Sequence, residues 1–126
     1  VKRAVLAAGL LAGLTACSYT YSVAFTVHVD PAVVAGGGNV VMQITGQARD
    51  NKTLPLVPGQ TEYAATLGTC CAPDPSVALS AFIDVDKDGL RGASEPGADD
   101  PRGTFVLSKD TQTTLRIKPP AATAAP

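Results

Sequence analysis

The sequence predicts an all-β fold, a small antiparallel β-sandwich of six to seven strands. Three observations carry that expectation. Apolar and polar residues alternate in short runs, the runs are separated by Gly, Pro, Asn and Asp, and no long stretch after position 17 repeats with the 3.6-residue period of an amphipathic helix. At 126 residues, 45% hydrophobic and 17% charged, the chain can fill one core and is too weakly charged for a disordered polyelectrolyte.

The first strand is expected where Val23, Phe25, Val27 and Val29 alternate with Ala24, Thr26, His28 and Asp30. Gly36-Gly37-Gly38-Asn39 then marks a turn, followed by Val40, Met42 and Ile44 on one face of a second strand. A further strand over Leu54 to Val57 would have to lie at a sheet edge, because Pro55 and Pro58 cannot donate to a ladder on both sides. Tyr63, Ala65 and Leu67 carry the next strand, and Val77, Leu79, Ala81 and Ile83 another. Phe105 and Leu107, then Thr113, Leu115 and Ile117, complete the set, with Lys109-Asp110 as the turn of a last hairpin. The sandwich domain is thus expected over residues 17–118. The tail at 119–126, PPAATAAP, has nothing larger than Pro or Thr to bury and is expected to be disordered.

Residues 1–16 have a different character. Lys2 and Arg3 precede 13 uncharged residues, Ala4 to Ala16. As a helix this run would span about 20 Å against a hydrocarbon core of about 30 Å, too short to cross a membrane. A basic start, a short apolar core and small residues before a break are the marks of a secretory signal peptide. Leu14-Thr15-Ala16-Cys17 at its end resembles the lipobox of bacterial lipoproteins. The resemblance implies cleavage before Cys17, acylation of that residue, and a membrane contact made through the lipid anchor. It also implies, from Ser18 after the cysteine, residence in the cell envelope and sorting to the outer membrane if the organism has one.

Composition and motif content exclude several function classes. A net charge of −1 offers no footprint for nucleic acid. No H-E-x-x-H, G-x-S-x-G, phosphate-loop or dinucleotide pattern occurs, and an enzyme is not expected. The single histidine, His28, falls on the polar side of its strand. A catalytic role would require it to lie beside an acidic group or nucleophile in a pocket. Cys70 and Cys71 are candidates for a disulfide, although adjacent α-carbons about 3.8 Å apart are closer than most bridged pairs. A metal or redox site there would lack a third ligand.

The acidic residues are concentrated: six of the 11 lie between positions 84 and 100, with only Lys87 and Arg91 as local cations. Within that stretch Asp84-Val85-Asp86-Lys87-Asp88-Gly89-Leu90-Arg91-Gly92-Ala93-Ser94-Glu95 fits D-x-D-x-D-G-x5-E at every fixed position. Carboxylates at loop positions 1, 3 and 5 converge when the chain coils, and Gly at 6 permits the turn. The carbonyl at position 7 adds an oxygen and Glu at 12 closes the shell. These residue types suit calcium, with Asp84, Asp86, Asp88, the Leu90 carbonyl and Glu95 as ligands, and the alternative is a solvated acidic turn that holds no ion. No helix pair is expected around the loop, since a strand enters it and Pro96 follows Glu95.

An apolar strand running into AFIDVDKDGLRGASEPG resembles the transthyretin-like and B-type repeat modules of secreted bacterial surface proteins. The resemblance implies an immunoglobulin-like or prealbumin-like sandwich, often with structural calcium and without catalytic residues. The expectation is therefore a lipid-anchored envelope protein acting as a non-catalytic structural or binding module, with an envelope protein as its partner. The alternative is a small-ligand carrier or an accessory subunit of an envelope enzyme or transporter.

Overall fold

A computed structural model describes residues 20–70 and 73–120. The expected signal segment, Cys17, Cys71 and all of the tail beyond Pro120 lie outside the described residues. Among the described residues, eight strands form two sheets: β1 (Tyr21–Val29), β2 (Asn39–Gly46), β3 (Asp50–Pro55), β4 (Glu62–Thr69), β5 (Ser76–Asp84), β6 (Gly97–Asp99), β7 (Phe105–Val106) and β8 (Thr111–Ile117). One sheet has the order β4-β1-β8 and the other β3-β2-β5-β6, with β7 pairing the same β5 strand. The all-β sandwich expected from the alternation is the architecture found.

Its core is built mainly from the residues that the alternation marks, with Val33 and Val34 added. Val23, Phe25, Val27 and Val29 of β1 pack with Val40, Met42 and Ile44 of β2, Val77, Leu79, Ala81 and Ile83 of β5, and Leu115 and Ile117 of β8. One-sided burial of this kind stabilises a sheet only in the register that keeps every apolar residue on the inner face.

Several details differ from expectation. Asp30-Pro31 starts a short helix, α1 (Pro31–Ala35), in which the Asp30 carboxylate accepts the Ala32 amide and proline occupies the first turn. The edge strand expected at Leu54 to Val57 is β3, which begins earlier, at Asp50, and ends at Pro55. Its edge position leaves proline without a missing bond to explain. Residues 105–107 and 111–117 do not form a hairpin: β7 pairs with β5, whereas β8 crosses to the other sheet and runs parallel to β1. Lys109-Asp110 therefore bridges the two sheets. There the Asp110 carboxylate accepts the Ser22 amide at 2.9 Å.

Side chains close both seams of the sandwich. On one side Asp50 Oδ2 accepts the Gly68 amide, linking β3 to β4 at 3.0 Å. On the other, three extra residues separate β6 from β7 relative to their common partner β5, and the resulting bulge turns Asp100 inward. Asp100 accepts Arg102 Nε at 2.8 Å and Nη2 at 2.9 Å, and also the hydroxyl of Thr113 on β8. Arg102 in turn donates to the Gln112 carbonyl and lies 4.4 Å from the centre of the Phe105 ring.

Candidate metal centre

The acidic loop connects β5 to β6. Asp84 is the last residue of β5, paired with Asn39 of β2, and the Pro96 carbonyl accepts the Ile83 amide at 2.9 Å where the chain returns. Gly38 holds the entrance in place: a Cβ there would sit 2.6 Å from the Asp84 carbonyl oxygen, so only glycine permits β2 to approach so closely. Inside the loop Lys87 and Gly89 have φ of 59° and 81°, which coils the chain back on itself.

The coil brings the four expected carboxylates together. One oxygen from each of Asp84, Asp86, Asp88 and Glu95 falls within 4.8 Å of the others, and this cluster can hold a metal ion. Its floor is buried and its rim open: Asp84 and Glu95 are 2% and 8% exposed, whereas Asp86 and Asp88 face water. Backbone amides orient the carboxylates. Asp84 accepts from Asp88 and Gly89, Asp86 from Asp88, and Asp88 from Leu90. Glu95 accepts from Val85 through one oxygen and from Gly92 through the other. Pro96 therefore does not turn Glu95 away; the Glu95 side chain folds back across the loop. Leu90 contributes its amide to Asp88, and its side chain is 70% exposed.

No cation neutralises this cluster from within. The ion pairs among the described residues are His28 with Glu62 and Asp100 with Arg102, so Lys87 and Arg91 pair with none of the four acids. The crowding raises the Asp86 carboxyl above its ordinary value, through desolvation first and then through its contacts with Asp84 and Asp88. A hard divalent cation relieves such crowding, and an all-oxygen donor set selects for one.

The chain matches no protein-family model, no curated protein and no solved structure.

The remaining expected sites separate clearly. Cys70 is disulfide-bonded, while Cys71, its expected partner, lies outside the described residues. His28 does have an acidic neighbour, Glu62, with Nδ1 and Oε1 3.6 Å apart across β1 and β4. Their side chains are 33% and 63% exposed, and the open hollow beside them offers Thr61 as its single hydroxyl and no thiol. An apolar groove of about 440 Å³ lies between α1 and the turn after β3, lined by Val34, Leu56 and Pro58, with Thr61 as its one polar side chain. It lacks the convergent polar groups that orient a small ligand. No helix among the described residues is long and apolar enough to cross a membrane. The Asp100 network and the Gly38 contact were missed from the sequence; the local signal of the first is the Asp100-Pro101-Arg102 spacing, and Gly38 stood out only as part of the turn Gly36-Gly37-Gly38-Asn39.

Proposed function

We propose that this chain is a lipid-anchored, non-catalytic β-sandwich module of the cell envelope whose β5–β6 loop takes a structural calcium ion. The observation that carries the calcium reading is the convergence of Asp84, Asp86, Asp88 and Glu95 without an internal countercharge. Ordered carboxylates leave little for the ion to rearrange, so the ion acts as a brace across the loop. Affinities of extracellular modules, with Kd of about 10⁻⁴ to 10⁻³ M, suffice where calcium is about millimolar. Magnesium is a weaker fit because it demands a tight octahedron and dehydrates reluctantly.

The anchor reading rests on Leu14-Thr15-Ala16-Cys17 after a short apolar core. A continuous cluster of buried residues, and an apolar groove with Thr61 as its one polar side chain, favour a binding or structural module over a carrier.

Calorimetric titration of the full chain with calcium is expected to give one saturable site, lost in the Asp84→Ala, Asp88→Ala double variant. Absence of binding at millimolar calcium overturns the metal reading. For the anchor, labelling cells with a fatty-acid analogue is expected to mark the unmodified chain and not Cys17→Ser. Label retained by the variant, or an unlabelled native protein, overturns it.

A further inference from the structure

We propose that the end of the seam between β6 and β8 is a binding site for a phosphate-bearing anion. A hollow of about 520 Å³ opens there, and Arg91, Arg116 and Lys118 all line it. They reach it from different parts of the fold. Arg116 and Lys118 come from the end of β8, and Arg91 from the loop between β5 and β6. None of the three forms an ion pair with a carboxylate among the described residues.

The one acid in the wall does not neutralise them. Both oxygens of Glu95 are engaged by the Val85 and Gly92 amides, which direct the carboxylate into the acidic loop. Arg91 is held close to the sheet: a Cβ on Gly97 would lie 2.7 Å from its Cζ, so the missing side chain makes room for the guanidinium. Pro119 and Pro120 supply an apolar wall. The opposite end of the same seam shows what a satisfied cation looks like, since Arg102 is bound in a fork by Asp100.

Three like charges around one hollow repel one another, and a shared anion converts that repulsion into attraction. Two guanidinium forks and one ammonium match the tetrahedral oxygens of phosphate better than a planar carboxylate or a monovalent ion. The hollow is open, so a phosphate carried on a larger body can enter. A soluble phosphate ester and a phospholipid headgroup present this same chemistry.

Two measurements on the full chain distinguish these sources. Calorimetric titration with inorganic pyrophosphate at low salt, in calcium-free buffer, reads the soluble form. Sedimentation with phosphatidylcholine vesicles, with and without phosphatidylglycerol, reads the headgroup; because Lys2 and Arg3 of the N-terminal segment also attract anionic lipid, the part owed to the hollow is the part lost on replacing Arg116 and Lys118. Saturable pyrophosphate binding, or binding specific to phosphatidylglycerol, is expected. Either is expected to weaken at least about tenfold in Arg116→Gln with Lys118→Gln, two exposed positions near the strand end. The control, Lys52→Gln with Lys109→Gln, removes the same charge elsewhere and is expected to leave binding unchanged. Binding to neither probe overturns the proposal, as does an equal loss in the control, which would mean attraction by overall charge alone.

Discussion

The loop after β5 and the bulge after β6 each bury a carboxylate, Asp84 at 2% and Asp100 at 6% exposure, yet they stabilise it in different ways. Asp100 has its countercharge built in: the Arg102 fork, the Arg102 amide and the Thr113 hydroxyl all converge on it. Asp84 has only backbone amides, and three further carboxylates face it. The first arrangement is complete within the chain. The second gathers acidic groups that can hold a metal ion, with no countercharge of their own among the described residues. Burial of an acid therefore does not by itself distinguish a clip from a binding site. The presence of a cationic side chain does.

The largest effect is expected at Asp100. Asp100→Ala removes the acceptor for Arg102 and Thr113 and unlinks the bulge from β8. Arg102 is 42% exposed, so the loss stays below the full cost of breaking a buried pair, at about 2–3 kcal/mol. Urea unfolding of the full chain is expected to show that loss equally with calcium and with chelator.

Acid titration sharpens the same contrast. The Asp100 carboxyl is held well below the usual carboxylate range, first by the Arg102 side chain against the opposing effect of burial, then by Thr113 and the Arg102 amide. Because the fold favours the ionised form, its contribution is fully present above the unfolded value near 3.8 and is lost as pH falls through the folded value. The stability gap between the unmodified chain and Asp100→Asn is thus expected to be constant near neutrality and to narrow below about pH 4. A gap that closes well above that range contradicts the clip.

The smallest effect is expected at Asp86, on the open rim of the loop. Asp86→Asn in chelator removes one of the crowded charges while keeping an oxygen for the Asp88 amide. Thermal stability without metal is expected to hold or rise slightly, while calcium affinity falls about tenfold. A clear loss of metal-free stability would show that the Asp86 charge supports the loop rather than burdening it.

The same contrast marks what was legible in the sequence. Val23 to Val29, Val40 to Ile44 and Val77 to Ile83 bury one face against a core, so their alternation is written in composition. The acidic loop was legible because all its carboxylates lie within 12 residues and their spacing is set by local coiling. Partners distant in sequence were not. Alternation says which face of β8 is buried, and nothing in it says that β8 leaves β7 to run parallel with β1. Asp100 depends on Thr113 in the other sheet, so no local pattern announces it. β6 escaped, and β3 was placed only at its end, for a different reason: Asp50–Pro55 and Gly97–Asp99 contain no fully buried residue and carry no alternation.

Whether calcium supplies the loop's missing countercharge is decided by melting the full chain in chelator and then in about 1 mM calcium. With Kd of about 0.1 mM the ion adds roughly 1.4 kcal/mol, or about 5–10 °C for a domain of this size. That rise is expected in the unmodified chain, retained in Asp100→Asn, and absent in Asp84→Asn with Asp88→Asn. Equal melting temperatures for the unmodified chain in chelator and in calcium would contradict that role and leave the loop a solvated acidic turn.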